Sequence, residues 1–229
     1  MNAKVGIITG ASSGLGLELS TRLVTEDYFI VGVSRKTPTD QRWLEWVKQN
    51  RCVHVAGDIS REDTVMEAFA KANHFGRLDL LINCAGEGVF GPVGSISRQD
   101  IDDVLSGNLV GTILFSQAAL TQFRTSGGLI VNIMSTASLI GRSNEAIYCA
   151  AKWGARGYTE SLRIEAKGTN AKVIAIYPGG MNTPFWTKAK GAHVDPHKFI
   201  SPAVVADMIL NSLTMHDGGY ISDITINRS

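Results

Sequence analysis

The chain carries near its start the sequence VGIITGASSGLG, residues 5–16, in which a short apolar run leads directly into a cluster of glycines. The apolar part predicts a β-strand over residues 4–9, and the amphipathic pattern that follows predicts a helix over residues 14–25. Glycines in the spacing Gly-x-x-x-Gly-x-Gly permit a tight turn that leaves the first N–H groups of the helix free for a diphosphate. The stretch therefore predicts a dinucleotide-binding loop, with candidate contacts at Gly10, Ser12, Ser13, Gly14, Leu15 and Gly16.

The same residues also match the nucleophile elbow of hydrolases, as Gly10-x-Ser12-x-Gly14. That motif requires an oxyanion-hole strand and loop before the serine, and an acid and a histidine after it. Only one predicted strand precedes Ser12, which leaves no room for such a loop. A dinucleotide site is therefore the better interpretation of this loop.

Further apolar runs repeat the alternation of strand and helix along the whole chain. They predict strands at 29–34, 52–56, 78–83, 129–134, 172–177 and 220–226, and helices at 40–49, 61–74, 98–124, 146–167 and 202–215. Strands that alternate with helices pair in parallel through right-handed crossovers. The predicted fold class is α/β: a single-domain Rossmann fold over residues 1–229, with a doubly wound parallel seven-stranded sheet and helices on both faces. The irregular segment 178–200 predicts a substrate lid at about 180–200.

The composition is that of a globular protein with no strong charge bias. Of 229 residues, 44% are hydrophobic, and the chain has 22 basic (Lys and Arg) and 21 acidic residues. A near-neutral balance gives no basic stripe for nucleic acid or for an anionic membrane surface. No apolar run approaches the length of a membrane span, no signal peptide is expected, and the three cysteines have no metal-ligand spacing. We expect a cytoplasmic location, with neither nucleic acid nor membrane as a partner and no metal.

The end of the second predicted strand favours one nicotinamide cofactor over the other. In dinucleotide-binding folds an acid about 20 residues beyond the glycines binds the ribose of NAD, whereas an arginine accepts the extra phosphate of NADP. This chain has Ser34-Arg35-Lys36 there and no acid. Arg35 can offer a planar fork to a phosphate, and Ser34 a hydroxyl donor. The sequence therefore favours NADP(H) over NAD(H).

A tyrosine and a lysine stand four residues apart on one face of the predicted helix 146–167. Tyr148 has an ordinary pKa near 10, too high for efficient proton exchange at neutral pH. A lysine charge nearby favours the phenolate and lowers that pKa. We therefore expect Lys152 to bring Tyr148 toward its working range.

Taken in order, these motifs resemble the classical short-chain dehydrogenases/reductases over essentially the whole chain. The resemblance is carried by Thr9-Gly10-x-x-x-Gly14-x-Gly16, Asp58, Asn83-Cys84-Ala85-Gly86, Asn108, Ser135, Tyr148-x-x-x-Lys152, Pro178-Gly179 and Thr183. The main departure is Cys84, where asparagine is commoner in the family. The resemblance implies reversible hydride transfer between a nicotinamide and a carbonyl or alcohol.

The resemblance also implies a role for each matched residue. Tyr148 would be the general acid/base, Ser135 would hold the substrate oxygen, and Lys152 would bind the nicotinamide ribose. Asn108 would hold a water that completes the proton relay. The remaining cofactor contacts would be Asp58 and Ile59 at the adenine, Asn83, Ala85 and Gly86 along its path, and Pro178, Gly179, Met181 and Thr183 at the nicotinamide.

The substrate is not named by the sequence. Its contacts should lie in loop 87–93, in stretch 136–145 and in the lid, among Glu87, Val89, Phe90, Leu139, Ile140, Arg142, Phe185 and Trp186. Arg142 suits a carboxylate, unless Glu87 is its partner. The alternative function is a catalytically idle dinucleotide-binding sensor or scaffold, which would not need Ser135, Tyr148 and Lys152 together.

Two predicted helices, 98–124 and 146–167, are apolar over wide arcs. A helix that is apolar on most sides is usually buried, and one sheet covers only one side of it. We therefore expect a homodimer or homotetramer through these helices, an arrangement that the resemblance also implies.

Overall fold

A computed structural model describes residues 4–213 and 219–228. Its strands are β1 (Lys4–Thr9), β2 (Tyr28–Ser34), β3 (Cys52–Ala56), β4 (Leu78–Asn83), β5 (Gly128–Ile133), β6 (Ala171–Pro178) and β7 (Asp223–Ile226). Its helices are α1 (Gly14–Thr25), α2 (Gln41–Lys48), α3 (Glu62–Phe75), α4 (Arg98–Leu105), α5 (Gly111–Ser126), α6 (Ala146–Glu165), α7 (Phe185–Lys188) and α8 (Pro202–Ser212).

The strands form one parallel sheet in the order β3-β2-β1-β4-β5-β6-β7. The chain builds the sheet outward in one direction from β1 and then, from β4, in the other. In such sheets ligands bind beyond the carboxyl ends of the strands at the point where the order reverses. The β1–β4 pair therefore marks the place of a binding cleft, and the predicted doubly wound fold is confirmed.

Helices cover both faces of the sheet, and each face has its own apolar core. One core joins the strands to α3, α5 and α6, with Phe115 and Phe123 fully buried. The other joins them to α1, α2 and α8 around the buried ring of Trp43. Strands covered on both faces are near-continuous apolar runs, which explains the sequence pattern of β5 and β6.

The predicted helix 98–124 is interrupted by one wider turn. Helix α4 runs into a π-helical turn at Ser106–Val110, and α5 continues from Gly111. By length and composition Arg98–Ser126 is the described helix that could cross a membrane, but core helices meet the same criterion. Its π-turn matters here because π-turns often occur at functional sites, and this one carries Asn108.

The segment 178–200 is ordered by short elements that the sequence did not indicate. It contains α7 and a 3₁₀ turn at Pro196–Lys198. Isolated parallel bridges tie Val89 to Lys190 and Met181 to Ile200. Most predicted boundaries agree to within two residues, but β7 begins at Asp223 rather than at 220, and α8 ends at Ser212. The predicted end of that helix, at 214–215, lies outside the described residues.

Candidate active site

A cleft of about 1140 Å³ opens at the carboxyl ends of β1, β2, β4, β5 and β6. Its walls include the glycine loop, the segments that follow β2, β3, β4 and β5, the start of α6 and the lid. All but one of the predicted site residues line it: Gly10, Ser12, Ser13, Gly14, Leu15, Gly16, Ser34, Arg35, Asp58, Ile59, Ala85, Gly86, Asn108, Ser135, Tyr148, Lys152, Pro178, Gly179, Met181 and Thr183. Asn83 is the exception.

The glycine loop is pressed against the loop that follows β4. Gly10 has φ +73°, and a Cβ there would lie 2.9 Å from the backbone of Ala85. The Thr9 hydroxyl oxygen accepts hydrogen bonds from the N–H groups of Cys84 and Ala85, at 3.0 and 3.1 Å. A Cβ on Gly16 would collide with the Gly10 carbonyl oxygen. Side chains at Gly10 or Gly16 would therefore force the loop apart.

The end of β2 carries the residues expected to select the cofactor. Arg35 is exposed, and its Nη2 atom lies 3.0 Å from Oε2 of Glu87 in the loop after β4. The Ser34 hydroxyl donates to the Lys36 carbonyl at 2.9 Å and also lies 2.9 Å from Nε2 of His54. The predicted Ser34 donor is therefore already committed within the protein. The neighbouring Lys36 also lines the cleft.

Asp58 and Ile59 follow β3 and close the outer end of the cleft. Burial raises the pKa of Asp58, but hydrogen bonds from the Ser60 N–H and hydroxyl, with nearby arginine charges, hold it below its ordinary value. The Ile59 side chain packs directly on Gly111, where a Cβ would collide with it. The two residues thus offer a carboxylate and an apolar surface, as expected for an adenine site.

Lys152 lies at the inner end of the cleft and is only 5% exposed. Its ammonium group donates to the Ile133 carbonyl at 3.3 Å and lies 5.8 Å from the centre of the Tyr148 ring. Burial lowers the pKa of Lys152 to about 8, because a charged group loses solvation in the interior.

Tyr148 differs from the sequence expectation in its protonation. Burial raises the pKa of Tyr148 to about 12, and the Ser135 hydroxyl opposes this shift only in part. The expected lowering of this pKa by Lys152 is therefore not found in the protein alone: burial dominates, and the groups that oppose it are Ser135 and Arg142. Ser135 begins the 3₁₀ turn Thr136–Ser138, and its Oγ accepts from the Ala137 N–H at 3.1 Å.

Asn108 lies in the π-turn, where hydrogen bonds hold its Nδ2 group but, among the described residues, none reaches its Oδ1 atom. Its Nδ2 group donates to the carbonyls of Glu87 and Val104, at 2.7 and 2.9 Å. Its Oδ1 atom is buried and has no hydrogen-bond partner among the described residues. A Cβ on Gly86 would lie 2.7 Å from this Oδ1 and 3.5 Å from the Lys152 ammonium. A buried acceptor of this kind is usually satisfied by a water or ligand.

Asn83, predicted to lie along the path of the cofactor, does not line the cleft. Its Nδ2 group donates to Ser116 Oγ at 2.9 Å and to Asn132 Oδ1 at 2.8 Å. Asn132 in turn donates to Thr159 Oγ1 at 2.8 Å. At the last position of β4 the side chain points into the helix-covered core, so Cys84, Ala85 and Gly86 form the cleft wall instead.

The predicted substrate contacts divide into two groups. Glu87, Val89, Arg142, Phe185 and Trp186 line the cleft, whereas Phe90, Leu139 and Ile140 do not. Phe90 stands behind the wall and packs on the rings that do. Glu87 pairs with Arg35, not with Arg142, whose guanidinium donates to Thr136 Oγ1 at 2.8 Å.

Comparison with known proteins places this arrangement in a family. The family model described as short chain dehydrogenase matches residues 4–193. The chain belongs to the short-chain dehydrogenase family. It is thus an oxidoreductase of that family, whose members act on small molecules.

Relatives of this short-chain dehydrogenase span nearly its full length. The D-threitol dehydrogenase of Mycolicibacterium smegmatis is 32% identical, covering 96% of this chain and 94% of its own. A short-chain dehydrogenase/reductase from Vibrio parahaemolyticus is also 32% identical, with a TM-score of 0.84 and coverage of 98% and 96%. An alcohol dehydrogenase from Thermococcus sibiricus, solved with 5-hydroxy-NADP, shares the fold at 22% identity, with a TM-score of 0.85 and coverage of 97% and 95%.

Sequence reasoning missed several polar residues of this short-chain dehydrogenase cleft, among them Lys36, Lys188 and Glu145. Lys36 follows Arg35 at the end of β2, and this pair of adjacent basic residues is the sequence signal that indicates a role for Lys36 in the cleft. Lys188 of α7 places its Nζ atom 3.5 Å from Ser13 Oγ in the glycine loop. Glu145 is half-buried, and burial raises its pKa. No sequence pattern links Lys188 to Ser13, since the two are 175 positions apart.

Proposed function

We propose that this protein transfers hydride reversibly between NADP(H) and a carbonyl or alcohol substrate, with Tyr148 as the general acid/base. One observation carries the proposal: Tyr148, Lys152 and the unpartnered Oδ1 atom of Asn108 meet at the inner end of the cleft that the glycine loop opens. A sensor without chemistry would have no need for a buried lysine beside a partly buried phenol.

The cleft fits a dinucleotide because glycines, which have no side chains, line it where a diphosphate would lie. Gly10 and Gly14 have φ of +73° and +57°, conformations that side chains other than glycine rarely adopt. Helix α1 begins at Gly14, so the residues that carry its first N–H groups line the cleft. Anions bind readily at such helix starts. Ser12, Ser13 and Lys188 would add donors, and Asp58 and Ile59 would hold the adenosine.

A bound cofactor would supply or accept the hydride, and side chains of the protein would supply or accept the proton. Because its pKa is about 12, Tyr148 carries its proton at neutral pH and is ready to donate it to a carbonyl oxygen. Ser135 would donate its hydroxyl hydrogen to the same oxygen, while its Oγ accepts from the Ala137 N–H. In this protonation state Tyr148 can serve the reduction of a carbonyl.

Lys152 and Asn108 would replace the proton that Tyr148 gives up. A positive charge 5.8 Å from the phenol ring stabilises the phenolate as it forms. The Oδ1 atom of Asn108 would accept from a water, which then faces the Lys152 ammonium. These two residues connect Tyr148 to solvent without a second acid.

The preference for NADP(H) rests on the charges around the end of β2. Arg35 and Lys36 are both available to a ribose phosphate, and no acid stands at that strand end. Glu87 competes with the phosphate for Arg35, since it already pairs with it at 3.0 Å. We therefore expect a real but moderate preference.

A coupled assay tests this function. Purified protein is mixed with NADPH or NADH and a panel of aldehydes, ketones and quinones, and in the reverse direction with NADP⁺ or NAD⁺ and alcohols that include D-threitol. Saturable consumption of NADPH with at least one carbonyl is expected. Tight cofactor binding without turnover across the whole panel would favour the idle sensor.

Two further properties belong to this proposal. On α6 the exposed residues Trp153, Gly157 and Ile164 share one face, and Val110 is exposed at the π-turn, which suits a homodimer or homotetramer through these helices. A cytoplasmic location suits the three free cysteines at 52, 84 and 149.

A further inference from the structure

Two aromatic side chains, Phe90 and Phe185, pack against the phenol ring of Tyr148, and a third, Trp186, packs against both of them. The ring centres of Phe90 and Phe185 lie 5.7 and 5.8 Å from that of Tyr148. Trp186 stacks on Phe90 at 5.8 Å and meets Phe185 edge-on at 5.1 Å. A substrate whose oxygen reaches Tyr148 must therefore lie against ring surfaces.

Main-chain contacts hold these rings in place. The Phe90 N–H donates to the Lys190 carbonyl at 2.8 Å, next to the bridge between Val89 and Lys190. The Trp186 indole N–H donates to the Met181 carbonyl at 3.0 Å. Phe199 supports the outer side of Trp186 with ring centres 5.2 Å apart. The lid thus presents a fixed aromatic wall, of which Phe185 and Trp186 line the cleft.

We infer that the substrate carries an aromatic ring close to its reacting carbonyl. This inference deepens the proposed function and rests on it. An aryl group can exchange the contacts between Tyr148 and Phe185 for contacts with itself, in the offset or edge-on geometries that rings prefer. A polyol would instead bring hydroxyl groups against carbon surfaces that offer no hydrogen bonds, and buried hydroxyls without partners are costly.

The test compares substrates that differ only in the ring. Phenylacetaldehyde and cyclohexylacetaldehyde have similar size, and in both a methylene group separates the ring from the carbonyl, so their intrinsic reactivities match. We expect kcat/KM for the phenyl compound to be about tenfold higher, since it makes ring contacts on two sides. D-threitol with NADP⁺ serves as the polyol comparison and should be a poor substrate.

Two variants locate the preference. Phe185→Leu keeps an apolar wall but removes the ring that faces Tyr148, so the phenyl-to-cyclohexyl ratio should fall to about twofold or less. Phe75→Leu is the matched control, because Phe75 stacks on Phe29 away from the cleft with ring centres 3.7 Å apart. That variant should keep the native ratio.

A binding measurement separates this inference from the proposed function. Calorimetry with 2-phenylethanol and 2-cyclohexylethanol, with and without NADPH, should show about tenfold tighter binding of the phenyl alcohol, lost in Phe185→Leu. Turnover of both aldehydes at rates within twofold, or a preference for D-threitol, would overturn the aromatic substrate and leave the dehydrogenase function intact. If no compound is turned over, the function fails, and the two alcohols alone decide: equal affinities overturn the aromatic site.

Discussion

The guanidinium of Arg35 and the carboxylate of Glu87 form an ion pair across the cleft, with Nη2 and Oε2 3.0 Å apart. Arg35 stands at the end of β2, and Glu87 follows β4. The position that would receive the ribose phosphate of NADP is thus already partly neutralised by the protein. We expect the choice between the two nicotinamide cofactors to depend on this balance, and not on Arg35 alone.

Cofactor affinities should follow that balance. NADPH should bind at least tenfold more tightly than NADH, a difference of about 1.4 kcal/mol, and Arg35→Asp should reverse the order. Glu87→Gln should tighten NADPH by about two- to fivefold and leave NADH unchanged, since exposed ion pairs are worth up to about 1 kcal/mol. Fluorescence titration at fixed ionic strength measures both; equal dissociation constants in the native protein would contradict the assignment.

Lys152 should make stability depend on pH in a defined direction. Its pKa falls from 10.5 to about 8 on folding, so between these values the unfolded chain binds more protons and stability rises with pH. Lys152→Met should therefore be more stable than the native protein at pH 7 by up to about 3 kcal/mol, and this gain should fall below about 1 kcal/mol at pH 10. Urea unfolding at both pH values checks it; a gain that does not change with pH would contradict burial of the charge.

The buried amide network that holds Asn83 should be costly to break. Asn132→Ala removes the acceptor for Asn83 and the donor to Thr159, and should cost about 1–3 kcal/mol of unfolding free energy. Gln117→Ala, on the exposed side of α5, is the control and should change stability by less than about 0.5 kcal/mol. Equal losses in the two variants would show that the network is not stabilising.

Sequence patterns predicted the sheet, its helices and most of the cleft because each depends on local order. Glycine spacing and apolar runs are visible along the chain, and together they predicted β1, α1 and the loop between them. The partners of Arg35 and Lys188 come from distant positions, so no pattern predicted them. The expectation that the pKa of Tyr148 is lowered was wrong for a related reason. The burial that raises this pKa depends on the whole fold, whereas the sequence shows only that Lys152 stands four residues away.

Assembly is tested by mass in solution. Sedimentation at micromolar concentration should give at least twice the monomer mass of 24.6 kDa. Ile164→Glu should lower this mass, because Ile164 is 69% exposed on the proposed contact face. Met66→Glu changes an equally exposed apolar residue on α3 and should leave the mass unchanged. A native mass near 25 kDa would show that the helices need no partner.

Removal of the Tyr148 hydroxyl tests the central claim most directly. Tyr148→Phe keeps the ring contacts with Phe90 and Phe185 and removes only the proton that would reach the substrate. Carbonyl reduction by the variant is measured with NADPH, and cofactor affinity is measured separately by fluorescence titration. We predict that kcat falls by about 10²–10⁴-fold while the dissociation constant of NADPH changes less than about threefold. A variant that still reduces the carbonyl at a near-native rate would contradict the role of Tyr148.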